Sequence, residues 1–239
     1  MRTEWMLAGV LASPAALAMG PEMDAMPVAS LRVDQLEQRF DGGERHLAWE
    51  AEGWYGNDLH RLVLQSRGER AENGRERSSE TQLLYRRMAS ELFDWQVGLR
   101  HDDQTEPGHK GPKRSYAVLG FTGLAPQWIE LDAKLFVSER GDPSLRIESE
   151  YELRLSQRWV LEPKLEYQLA LADDRDLGVG AGGSELEAGL RLHYRVNPQF
   201  SPYVGYQWAK TYGRSGDLAR AAGEDDEEGA WVVGLRFWL

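Results

Sequence analysis

The sequence predicts an all-β protein: a transmembrane, antiparallel, up-and-down β-barrel of about 12 strands with a charged lumen. Three observations carry this reading: alternation of hydrophobic and charged residues between Pro143 and Val196, exchange of short and long connections along the chain, and a signal-like N-terminus. In Leu145–Leu155, one parity is Leu145, Ile147, Ser149, Tyr151, Leu153 and Leu155; the other is Arg146, Glu148, Glu150, Glu152 and Arg154. Successive side chains of a strand point to opposite faces. A soluble sandwich alternates too, but its polar face carries more Thr and Ser. A face this charged suits a polar lumen with lipid on the other side.

Taken in order, the strand candidates are Leu31–Phe40, His46–Tyr55, Leu59–Gly68, Ser79–Met88, Phe93–His101, Arg114–Leu124, Trp128–Glu139, Ser144–Ser156, Arg158–Ala172, Ser184–Val196, Ser201–Tyr212 and Gly229–Leu239. The connections at Tyr55–Asp58, Ala125–Gln127, Ser156–Gln157 and Val196–Gln199 are short, whereas Glu69–Ser78, Asp102–Lys113, Asp173–Gly183 and Gly213–Glu228 are long. Asp41–Arg45 and Arg140–Pro143 are shorter members of the second set. Outer-membrane barrels have short periplasmic turns and longer extracellular loops, which puts both termini on the periplasmic side. Parity assigns Trp49, Trp95, Leu119 and Leu135 to lipid, and Glu50, Glu52, Gln96, Arg100, Glu130, Asp132 and Lys134 to a lumen knitted by ion pairs. Trp54, Tyr55, Trp128, Trp159, Tyr194 and Phe200 fall beside the short turns, where an aromatic girdle belongs. The chain ends in an alternating strand, Val233–Leu239, similar to the terminal assembly signal of outer-membrane proteins, with Leu239 in place of the usual Phe.

Composition agrees with this class. The net charge is −11 and the mean hydropathy −0.56, and no stretch after residue 20 is apolar for the roughly 20 residues a spanning helix needs. An acidic chain offers nucleic acid no clustered cations, so no nucleic-acid partner is expected. With no cysteine there are no disulfides, thiolate sites or Cys nucleophiles. Met1-Arg2-Thr3, the apolar run Trp5–Leu17 and the small residues Ala16-Leu17-Ala18 read as a signal peptide over 1–18. A flexible periplasmic segment, 19–30, and a barrel, 31–239, follow.

Several blocks then occur in a recognisable order: Glu52–Asp58, Gly123–Pro126 with Trp128 and Leu135–Glu139, Tyr151–Arg158, Ser184–Leu186 with Gly189–Leu192, Pro202–Gly205, and Gly234–Trp238. Together they resemble the copper resistance protein B family of bacterial outer-membrane proteins, over roughly Leu31 to Leu239. The resemblance implies a copper-resistance barrel in the bacterial outer membrane that binds copper and controls its sequestration or passage. Its partners would be Cu(I) or Cu(II) ions, outer-membrane lipid and periplasmic copper-binding proteins. The family's Met- and His-rich segment before the barrel is thin here, reduced to Met19, Met23 and Met26. Thioethers are soft donors suited to Cu(I), and imidazole suits both oxidation states.

Among the histidines, parity turns His46 and His193 to the lumen, and these join the three methionines as candidate metal ligands. His60 lies near a periplasmic turn, and His101 and His109 in or beside an outer loop; none has ligand spacing. His193, between Arg191 and Arg195, also reads as a hydrogen-bonded wall residue. The run Glu224–Glu228 is a solvated loop of hard carboxylates. A lipase barrel would need Ser and His side by side on the lipid face, and no single strand supplies that pair, so no enzymatic activity is expected. A porin-like or structural barrel without a metal role is the alternative, and only the family likeness separates the two.

Overall fold

The computed structural model describes residues 26–72, 74, 76–106, 109–173, 180–222 and 225–239. The expected signal peptide, Met19, Met23, Gly178, Val179, Glu224 and the side chain of His109 lie outside the described residues.

Alternation becomes a closed wall. The strands are β1 (Val28–Asp41), β2 (Glu44–Gly56), β3 (His60–Ala71), β4 (Arg77–Met88), β5 (Phe93–Glu106), β6 (His109–Ala125), β7 (Ile129–Ser138), β8 (Pro143–Glu150), β9 (Leu153–Arg154), β10 (Trp159–Ala170), β11 (Ser184–Tyr194), β12 (Phe200–Tyr212) and β13 (Glu227–Trp238). Each pairs antiparallel with its neighbour and β13 returns to β1. Both β8 and β9 pair with β10 and are parted only at Tyr151–Glu152, so thirteen segments make twelve staves. Closure leaves no edge strand, the condition for crossing lipid with strands.

β1 changes phase. Val33 pairs with Ala51 and Gln35 with Glu50, which leaves Asp34 as the extra residue of a bulge. Outward residues are therefore Leu31 and Val33 before the bulge, Leu36 and Phe40 after it. Arg32, Asp34, Gln35, Glu37 and Arg39 all stay inside.

Two outer connections differ from expectation. The expected loop Asp102–Lys113 is mostly strand, because β5 and β6 pair out to Glu106 and His109, with Lys113 Nζ on Asp103 at 2.8 Å. Gly213–Ala222 forms helix α1, in which Arg220 pairs with Asp217 one turn earlier.

Leu83, Val97, Leu99, Leu119, Val204 and Val233 are exposed on the outer wall, as lipid-facing residues must be in an isolated chain. The aromatic girdle needs one correction. Trp54 shares the parity of Glu52, so it faces inward and packs with Tyr116 against the buried cluster Val63, Leu84, Val118 and Phe136. Tyr55, Trp128 and Trp159 are exposed at the periplasmic rim, Trp159 lying 5.0 Å from Tyr194. A second aromatic set, Phe40, Tyr206 and Trp231, marks the outer side, with Tyr206 and Trp231 rings 5.2 Å apart.

Candidate functional site: the charged lumen

Inward parity on twelve staves puts long charged side chains within reach of one another across the barrel. Midway along it, Arg67 of β3 pairs with its cross-strand neighbour Glu80 (3.1 Å) and spans the lumen to Glu148 (3.3 Å) and Glu166 (3.1 Å). Arg146 binds Glu80 at 2.9 Å and Glu166 at 3.2 Å, Arg100 binds Glu80 at 2.8 Å, and Lys164 binds Glu50 at 2.6 Å. Removed from water, such charges are tolerated only when paired and hydrogen-bonded, and here each cation meets carboxylates from strands beyond its own.

A second knot joins β1, β11 and β12. Glu37, 1% exposed, accepts from Arg191 Nε (3.0 Å), Arg191 Nη2 (2.9 Å), Arg39 Nε (2.9 Å) and the Tyr203 hydroxyl (2.9 Å). Arg191 also donates to Gln35 and Gln207. Glycines make the room. A Cβ on Gly205 would lie 3.0 Å from Arg191 Cγ, and one on Gly234 would lie 2.5 Å from the Tyr203 ring. Both glycines, and Gly189 beside them, belong to the sequence blocks quoted above, but their role as space for Arg191 and Tyr203 appears only once three strands are assembled.

Towards the periplasmic mouth, Arg236 pairs with Glu162, Asp34 and Glu152, and Arg195 with Glu152 at 2.7 Å. Spaces remain between these pairs along the lumen, among them a central one of 320 Å³ lined by Glu50, Arg67, Asp132 and Lys164. One of 340 Å³ at the periplasmic side is lined by Glu152, Arg154, His193, Arg195 and Arg236. Another, of 350 Å³ and further out, is lined by Arg39, Glu69, Glu185 and Glu187.

His46 is half-buried near the outer end, its Nδ1 3.5 Å from Glu69 Oε1. His193 is buried near the periplasmic end, its Nε2 3.4 Å from Glu162 and its ring 4.7 Å from Tyr203. Both face inward, but they stand at opposite ends of the lumen and do not share a site. Met26 is 87% exposed just before β1. Among the described residues no group of three or more His, Cys, Asp or Glu is placed to hold a metal ion.

One pair escapes a reading made strand by strand. His101 of β5 and Ser115 of β6 are register partners on the lipid-facing side, with Nδ1 3.1 Å from Oγ. The carboxylate two residues on, Asp103, is engaged by Lys113, and Ser115 stands in a continuous ladder with its carbonyl accepting from Glu139. Among the described residues no carboxylate is hydrogen-bonded to His101, the orienting contact that nucleophilic catalysis uses.

Comparison with known proteins adds independent findings. Residues 28–239 match the family model "Copper resistance protein B precursor (CopB)". The chain is 37% identical over 206 residues to the "Copper resistance protein B homolog" of Pseudomonas syringae pv. tomato (strain ATCC BAA-871 / DC3000), covering 86% of this chain and 68% of the relative. It is 34% identical over 207 residues to the "Copper resistance protein B" of Escherichia coli, covering 87% and 68%. Among solved structures, the NanC porin superimposes with a TM-score of 0.55 at 12% identity, over 88% of this chain and 99% of that one. At that identity the likeness speaks for the barrel fold alone.

Proposed function

The chain belongs to the copper resistance protein B family of the bacterial outer membrane, and on that premise we propose that it acts by holding copper at the periplasmic mouth of a closed barrel. The observation that carries this reading is the lumen itself. Arg67, Arg146, Arg100 and Lys164 are tied to carboxylates on several strands, a cross-bracing that supports a plug over a free path for ions. Copper capture then falls to groups outside the braced region. Cleavage after Ala18 would leave Met19, Met23 and Met26 as soft thioether donors directly ahead of β1, on the side of the short turns. A methionine segment there would take Cu(I) from periplasmic copper-binding proteins. His46 and His193, each already beside one carboxylate, are the secondary candidates. No catalytic step is needed.

The test is titration of the purified mature protein with Cu(I) and Cu(II), alongside a variant carrying Met19→Leu, Met23→Leu and Met26→Leu. Leucine keeps the apolar bulk and removes sulfur, so the barrel should assemble unchanged while Cu(I) affinity falls about ten-fold or more. Copper tolerance of cells should fall with it, and zinc tolerance should not. A variant that binds and protects like the parent would move the site to His46 or His193. A parent without copper binding or a copper phenotype would leave a porin-like barrel as the function.

A further inference from the structure

The lipid-facing wall of β3 and β4 abandons the apolar rule on its outer half. From the periplasmic end, Leu62 faces Tyr85 and Leu64 faces Leu83, but the next outward rungs are Ser66 with Thr81, Gly68 with Ser79, and Arg70 with Arg77. The floor of this polar strip is firmly built. Trp49 of β2 donates to Ser66 Oγ at 3.2 Å and lies so close over Gly68 that a Cβ there would be 2.5 Å from its ring.

Arg70 and Arg77 are both exposed and neither is in an ion pair among the described residues; Asp103 of β5, which attracts Arg77 from further off, is engaged by Lys113 at 2.8 Å. Like charges directly opposite each other on one sheet face are destabilising. Other described cations at the outer rim are paired, among them Lys113 with Asp103 at 2.8 Å, Lys210 with Glu227 at 2.8 Å, and Arg214 with Asp173 at 3.2 Å. With 39 acidic residues against 28 basic ones, the chain has no shortage of carboxylates to supply. Two guanidinium forks left open side by side, above a polar strip where acyl chains would otherwise lie, match an anion offered from the membrane.

We propose that Arg70 and Arg77 clamp the phosphate of a phosphorylated glycolipid in the outer leaflet, with the Ser79 and Thr81 rungs seated against its sugar. Guanidinium binds phosphate oxygens in a bidentate, charge-assisted manner, and the bound anion removes the repulsion between the two arginines. The polar rungs select a lipid whose headgroup reaches below the rim, which a sugar-bearing lipid does and a small zwitterionic headgroup does not. This assignment depends on residence in the outer membrane and is independent of copper.

The full chain, folded in detergent as judged by its heat-modifiable gel mobility, is mixed with a diphosphorylated glycolipid, its dephosphorylated form or phosphatidylethanolamine, and bound lipid is counted by native mass spectrometry. The parent should retain the diphosphorylated form about ten-fold better than either other lipid, and Arg70→Gln with Arg77→Gln should abolish that preference without altering mobility. Arg214→Gln, at a paired rim cation, should leave it intact. Equal retention of the dephosphorylated lipid, unchanged binding by the double variant, displacement of the lipid by equimolar inorganic phosphate, or a parent dimer that the double variant dissociates would each overturn the assignment. Should the double variant not fold, Arg77→Gln alone, which removes the like-charge opposition, carries the same test.

Discussion

Glu37 is a carboxylate surrounded by donors, and its neighbours define what its loss would do. Arg191 is 2% exposed and directs two of its nitrogens at Glu37. Glu37→Ala strands that cation inside the barrel, a change that costs about 3–5 kcal/mol when a buried pair is broken from one side. Glu37→Gln keeps an acceptor for Arg191 and should cost clearly less. Urea midpoints of the two variants refolded into lipid vesicles separate these outcomes, and equal midpoints would mean that Arg191 finds another counter-charge. The carboxylates and arginines of the lumen are legible in the sequence from parity alone. Gly189, Gly205 and Gly234 are legible only as letters of a motif, since what they make room for comes from other strands.

At the scale of the strand, depth sets the penalty for a charge on the lipid face. Leu165 sits mid-way along β10, outward and 45% exposed, whereas Leu153 in β9 is outward and adjoins the periplasmic turn. Leu165→Arg should cost about 2–4 kcal/mol and Leu153→Arg about 0–1 kcal/mol. Equilibrium unfolding in vesicles measures both; a larger loss at Leu153 would mean that the strand is placed too deep. Strands β8 to β11 are readable because residues two apart keep one character throughout. β1 is harder, because the extra residue Asp34 inverts the parity within the strand. Trp54 misleads for a different reason: a ring next to a turn resembles a girdle member whichever face it occupies. The β5–β6 extension and helix α1 are polar stretches, and polarity alone does not distinguish a loop from a projecting hairpin or an exposed helix. His101 and Ser115 meet through register, a relation between strands that neither strand contains.

For the whole barrel, the cross-lumen pairs predict electrical behaviour. The parent in a planar bilayer should pass little steady current. Arg67→Ala removes the one cation that Glu80, Glu148 and Glu166 share and leaves the lumen more negative, so a small, cation-selective conductance should appear. Anion selectivity, or a parent conducting as well as the variant, would contradict the plug. Topology has its own check: a protease site inserted within Gly213–Ala222 should be cut on intact cells, while one at Val196–Gln199 should be protected.

The seam between β1 and β13 bears on how such a wall comes into being. Arg32 pairs with Trp238 and Phe40 with Trp231 across it, and Leu31 and Leu239 exchange backbone hydrogen bonds in both directions. Inside the same seam Asp34 meets Arg236, and Glu37 meets Arg191 of β11, 154 residues downstream. Arg32 and Arg39 pair with these carboxylates within the first stave, but their further partners, Arg236 and Arg191, arrive only with staves made much later. A half-made sheet lacks those further partners and has open edges besides, which resists its entry into hydrocarbon, while the finished ring enters without that penalty. Ring closure and completion of these ion-pair networks thus coincide, and the order of synthesis becomes a proofreading step: insertion is favoured only for chains long enough to answer their own beginning.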